Sequence, residues 1–93
     1  MNKMDAMIRK RIVFTGVVQG VGFRWRARHA ATLYGCTGFC RNEWDGSVTM
    51  EIQGEEERID RVIESLQNGR FIEIDRMDAQ SIPLQDERGF FTE

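Results

Sequence analysis

The sequence predicts an α+β fold, with two helices on one face of an antiparallel sheet, from three observations. Four separate stretches rich in Val, Ile, Met and Phe carry the continuous or alternating apolar pattern of strands. Two others repeat their apolar residues at helical spacing. The signals follow in the order β-α-β-β-α-β, the split βαβ or ferredoxin-like arrangement. Ninety-three residues make one domain, long enough to bury a core, and no repeat, low-complexity tract or linker divides it.

The first strand is expected over residues 11–18, where Ile12, Val13, Phe14, Val17 and Val18 suggest that both faces are largely covered. Ahead of it, residues 1–9 read as a flexible polar leader to a domain spanning 10–93, and they lack the apolar region of a signal peptide. Gln19-Gly20-Val21-Gly22 ends the strand as a glycine-rich loop. Phe23, Ala27, Ala30, Ala31 and Tyr34 then mark one face of a helix, closed by Gly35. Residues 38–42 read as the second strand, Asp45-Gly46 as a hairpin turn, and Val48, Met50 and Ile52 as the inward positions of the third strand.

Acids at Glu55, Glu56 and Glu57 suit the positive end of a second helix opening at Gly54. Its stripe is Ile59, Val62, Ile63 and Leu66, and Asn68-Gly69 closes it. A fourth strand is expected over 71–80, with a bulge or bend where the alternation of Ile72 and Ile74 slips before Met77 and Ala79. Pro83 breaks it, and Gly89-Phe90-Phe91 offers a short edge strand.

Composition narrows the function. The net charge is −2 and the chain as a whole is acidic, which argues against a general nucleic-acid binder. The basic residues nevertheless gather in the first half, a distribution that suits a small anion better than a polyanion. No run of about 18 apolar residues exists to span a membrane. A cytoplasmic location is expected, with Cys36 and Cys40 as buried thiols. With one His in the chain, a four-ligand zinc site lacks ligands, so no metal and no cofactor are expected.

The strand-to-helix junction at residues 19–23 carries the chemistry. Successive backbone N–H groups in such a turn converge as a nest, and the helix N-terminus adds its positive dipole end. Gly20 and Gly22 permit the backbone angles required. Arg24 follows in the first helical turn, where a planar guanidinium can grip two phosphate oxygens at once. Arg26 and Arg28 read as solvated helix residues. His29 lies five residues past Arg24, about 140° around the helix, and reads as an exposed or half-buried bystander.

Gly16-Val17-Val18-Gln19-Gly20-Val21-Gly22-Phe23-Arg24 resembles the first signature of the acylphosphatase family. The segment Gly38-Phe39-Cys40-Arg41-Asn42-Glu43-Trp44-Asp45-Gly46-Ser47-Val48 resembles the second, with Cys40 where valine is usual. The likeness continues through Gln53-Gly54 and Phe90, covering roughly residues 10–92. It implies a metal-independent hydrolase that splits acyl phosphates without a phosphoenzyme. By the same resemblance, Arg24 binds the substrate phosphate, Asn42 orients the attacking water, and Gln19, Gly20, Val21, Gly22 and Phe23 form the phosphate cradle. Glu43 and Asp45, beside Asn42, read as a solvated turn.

The expected partners are a small acyl phosphate and inorganic phosphate, as product or inhibitor, with no nucleic acid or membrane; the protein is expected to be a monomer. The principal alternative is a non-catalytic module that docks phosphate or carbamoyl phosphate, like the domain fused within hydrogenase-maturation carbamoyltransferases. The chain ends at Glu93 without those further domains, which favours the free enzyme. An RNA-binding module shares the element order, but residues 48–52 lack the aromatic and basic pattern needed for base stacking.

Overall fold

A computed structural model describes residues 7–93. Its elements are β1 (Met7–Val17), α1 (Phe23–Leu33), β2 (Thr37–Asn42), β3 (Val48–Glu55), α2 (Glu56–Gln67), β4 (Glu73–Ile82) and β5 (Phe90–Thr92). The sheet order is β4-β1-β3-β2-β5. Its first four strands pair antiparallel, whereas β5 lies parallel to β2, Gly38 opposite Phe90. The sheet is therefore mixed, not wholly antiparallel as expected. Periodicity locates a strand but says nothing about the direction of a partner some fifty residues away.

The core forms where the sheet meets the two helices. Ile12 and Phe14 of β1 and Val48, Met50 and Ile52 of β3 face Phe23, Ala27, Ala30 and Ala31 of α1 and Ile59, Val62 and Leu66 of α2. Phe14 and Phe23 meet edge to face with ring centroids 5.0 Å apart. The run of alanines on α1 lets that helix approach the sheet closely, while the larger aliphatics of α2 fill the other half of the layer. Complete burial of a side chain such as Leu66 contributes roughly 1.5–3 kcal/mol.

Three sequence expectations change. β1 begins at Met7, so Met7, Ile8 and Arg9 are strand and not leader; residues 1–6 lie outside the described residues. β3 runs on to Glu55 because the longer β1 supplies partners there, Met7 opposite Glu55 and Ile8 opposite Gly54. The second helix accordingly starts at Glu56. Nor is β1 covered on both faces, because both helices lie on one side: Arg11 and Thr15 are exposed, and Val17 is 48% exposed.

The expected irregularity in the fourth strand is present. Arg76 pairs with Thr15 but Ile74 pairs with Gly16, which leaves Asp75 as the extra residue of a bulge. On the face away from the helices, Arg9 is 1% exposed. Its guanidinium donates to Glu51 (2.9 and 3.1 Å), to Gln53 (3.3 Å) and to Glu87. Gln53 also exchanges hydrogen bonds with the backbone of Gln85, donating at 2.9 Å and accepting at 2.9 Å. Together these contacts fasten the segment between β4 and β5 across the sheet.

Candidate active site

Register brings the candidate residues to one edge. β1 and β2 each run antiparallel to β3, so they are parallel to one another and their C-terminal ends share a side of the sheet. Val48 is opposite both Phe14 of β1 and Asn42 of β2. The Gln19–Gly22 loop leaves β1 there, and α1 begins there.

Gly20 (φ +73°) and Gly22 (φ +80°) both occupy the left-handed region, with open space where a Cβ would project. The need for glycine is thus one of backbone strain and not of crowding; a non-glycine residue pays roughly 1–2 kcal/mol in that region. Gly22 is the N-cap of α1 and supplies no side-chain cap. The first bond into the helix is Arg26 N–H to the Gly22 carbonyl at 2.9 Å. Among the described residues, no acceptor takes the N–H groups from Gly20 to Arg24. A run of unused donors at the positive end of a helix is an anion site by construction.

Gln19 has a different job from the other loop residues. Its side-chain amide donates to the carbonyls of Glu43 (2.7 Å) and Ser47 (2.9 Å), tying the loop to the β2–β3 hairpin. That hairpin is braced internally: Asp45 Oδ1 accepts from Ser47 N–H (3.0 Å) and Ser47 Oγ (2.6 Å). The two Ser47 bonds hold the Asp45 carboxyl below its ordinary range. Thr49 and Arg41 do the same for Glu43, whose carboxylate pairs with Arg41 at 3.0 Å. Both acids beside Asn42 are therefore committed to the turn.

Arg24 is half-buried and donates one N–H to the main-chain oxygen of Glu93 at 2.6 Å. Its remaining guanidinium donors have no acceptor among the described residues. Asn42 is exposed at the end of β2 and makes no side-chain hydrogen bond there. Gly20, Gly22, Arg24 and Asn42 line a single cleft of about 200 Å³, with Trp25 at its margin. Of the sequence-predicted cradle, Gly20, Gly22 and Phe23 line this cleft, while the Gln19 side chain is occupied by the hairpin and Val21 packs partly against the core.

Other candidates fall into place around it. His29 is exposed and stacks on Trp25, centroids 5.0 Å apart and planes 8° from parallel. Arg28 is exposed, as expected, but Arg26 is half-buried and donates to the Ser65 carbonyl at 2.7 Å, bridging the helices. Cys36 and Cys40 are buried free thiols. Burial pushes them up to about 11 and about 12, against the pull of Arg58 and of Arg24 respectively, so neither supplies a thiolate near neutral pH. Among the described residues no three His, Cys, Asp or Glu side chains converge as a metal site would require, and no helix is long and apolar enough to cross a membrane. Sequence reasoning missed the main-chain oxygen of Glu93 beside Arg24; only the pairing of β5 along β2 brings it there.

Backbone donors, an undersaturated arginine and a neutral amide surround one cleft on a ferredoxin-like fold, an arrangement chemically suited to an oxyanion. The acylphosphatase family model matches residues 10–92. An acylphosphatase of Bifidobacterium longum is 39% identical over 88 residues, 94% of this chain and 91% of the relative. The structure is similar to an acylphosphatase from Coxiella burnetii, with TM-score 0.89 and 26% identity over 100% of this chain and 99% of that one. It is also similar to the acylphosphatase of Bacillus subtilis, with TM-score 0.81 and 27% identity over 91% and 96% of the two chains. The chain belongs to the acylphosphatase family and is a hydrolase of acyl phosphates, acting on an acid anhydride.

Proposed function

We propose that acyl phosphate hydrolysis proceeds here by in-line attack of water on a phosphoryl group held by Arg24 and the backbone of Gly20 to Phe23. The observation that carries this reading is the convergence of the unused N–H donors, the free part of the Arg24 guanidinium and Asn42 on one cleft. The bond to Glu93 holds the guanidinium in position while leaving its other N–H groups for phosphate oxygens. Asn42 accepts a hydrogen bond from the attacking water and, being neutral, does not repel the anionic substrate. Gln19 acts through the hairpin, setting the distance between loop and Asn42.

The reaction asks little more of the protein. The water oxygen forms a bond to phosphorus as the bond to the carboxylate oxygen breaks. The bonding pair leaves with the carboxylate, and the water's protons pass to phosphate and solvent. A carboxylic acid of pKa near 4 is a good leaving group, so its departure needs no general acid. Charge on the equatorial oxygens is met by Arg24 and the cradle. The same contacts make inorganic phosphate a competitive inhibitor. We infer a metal-independent, monomeric enzyme of the cytoplasm, a setting that suits its two buried thiols.

Turnover of acetyl phosphate in the presence of excess EDTA tests the reading directly. Asn42→Ala should lower kcat by on the order of 10²–10³ while phosphate inhibition stays near wild type. Loss of wild-type turnover on chelation, or equal loss of phosphate affinity in the variant, refutes the assignment. Phosphate binding without any turnover would mark a non-catalytic module.

A further inference from the structure

Beyond the phosphate cleft, the surface continues along the outward side of α1. The cleft shares Arg24 and Trp25 with a second hollow of about 250 Å³ that also takes in Arg28 and Thr92 but no longer includes Asn42. Trp25 and Arg28 in turn border a third, of about 440 Å³, with His29, Thr32 and Leu33. The three form one path that leads away from the water-placing residue.

Two side chains on this path are held ready. Trp25 is 67% exposed, an uncommon placement for so large an apolar surface, and His29 stacks on one face of its indole. That stack fixes the ring and leaves its remaining surface available to a flat group. Arg28 lies one helical turn beyond Arg24, about 6 Å along the axis, and among the described residues it makes no hydrogen bond or ion pair. One aromatic ring bridges such a spacing.

Resting on the catalytic reading above, we propose that Trp25 and Arg28 form an acyl-group subsite. Its occupant is the leaving part of the substrate: a planar acyl group that lies on Trp25 and carries a second negative charge toward Arg28. Continuity with the phosphate cleft and complementary charge select this occupant. The substrate class is thus an aromatic or similarly flat acyl phosphate with a distal carboxylate, and Trp25 and Arg28 determine specificity without touching the reacting atoms.

Steady-state kinetics with acetyl phosphate, benzoyl phosphate and 4-carboxybenzoyl phosphate tests this. Arg28→Gln should lower kcat/KM for 4-carboxybenzoyl phosphate relative to benzoyl phosphate by about tenfold, the scale of one charge-assisted hydrogen bond. Trp25→Leu should lower kcat/KM for benzoyl phosphate relative to acetyl phosphate about fivefold. Ratios within one enzyme cancel any general loss of positive field or folded protein. If both ratios stay within twofold of wild type while acetyl phosphate is hydrolysed, the subsite is refuted and the catalytic reading stands. If wild-type enzyme hydrolyses none of the three, both fail together.

Discussion

Arg9 and Arg24 are chemically identical side chains at opposite extremes of saturation. Arg9 is sealed on the far face of the sheet, with its donors directed at Glu51, Gln53 and Glu87. Burial alone would lower its pKa, but hydrogen bonds and charge from Glu87 and Glu51 outweigh that, and the net pKa is raised. Arg24 sits half-buried at the mouth of a cleft, steadied by the main-chain oxygen of Glu93 and otherwise uncommitted. A guanidinium with four of its five N–H groups engaged holds a fold together. One held by a single bond is placed but still able to bind.

The comparison makes a double dissociation the strongest test. Arg24→Ala should reduce kcat/KM for acetyl phosphate by on the order of 10²–10³ and change unfolding free energy by less than about 0.5 kcal/mol. Arg9→Met should do the opposite. It should cost about 2–3 kcal/mol in urea unfolding, while activity per folded molecule stays within twofold. The stability loss is set below the usual 3–5 kcal/mol for a broken buried ion pair, because the orphaned Glu51 and Glu87 side chains retain 18% and 21% exposure and can take up water. Activity lost at Arg9 or stability lost at Arg24 in those amounts would erase the distinction.

A smaller effect sharpens it. Glu87→Gln keeps an acceptor for Arg9 but removes one charge, so the loss should be about 0.5–1 kcal/mol, the scale for a partly exposed pair. An unfolding midpoint as low as that of Arg9→Met would show that Glu87 carries the whole network.

An effect read through pH concerns Cys40, on which Arg24 acts from nearby. The thiols of Cys36 and Cys40 have folded pKa values of about 11 and about 12 against an ordinary 9.0. The unfolded chain therefore releases these protons first as pH rises. Their contribution to stability is complete below pH 9 and is lost progressively as pH climbs toward 11–12. Melting temperatures from pH 8 to pH 10.5 should fall more steeply for wild type than for Cys36→Ala/Cys40→Ala. Parallel slopes would mean that neither thiol is held neutral by burial.

How much of this was legible beforehand follows from range. The helix stripes at Ile59, Val62 and Leu66 and at Phe23, Ala27 and Ala30 are local patterns, and their buried faces agree with the structure. So is the slipped alternation that became the bulge at Asp75. The positive φ of Gly20 and Gly22 could be anticipated because a strand had to turn into a helix within five residues. Arg9 could not: it stands in Arg9-Lys10-Arg11, a basic triplet that reads as solvated, and its partners are 42 to 78 positions away. The tie made by the Gln19 side chain was hidden for the same reason, since its acceptors are hairpin carbonyls 24 and 28 positions on.

By itself the amino-acid sequence determined the element order, the glycine-rich turn at the start of α1, and the residue types suited to holding a phosphate and a water. These depend on backbone angles and periodicity, which act over a few residues. Tertiary structure alone decided that β5 runs parallel to β2 and delivers the main-chain oxygen of Glu93 to Arg24, and that Trp25 and Arg28 extend the cleft. Such pairings are choices among distant partners, settled by which packing buries the most apolar surface, and no local pattern encodes that choice.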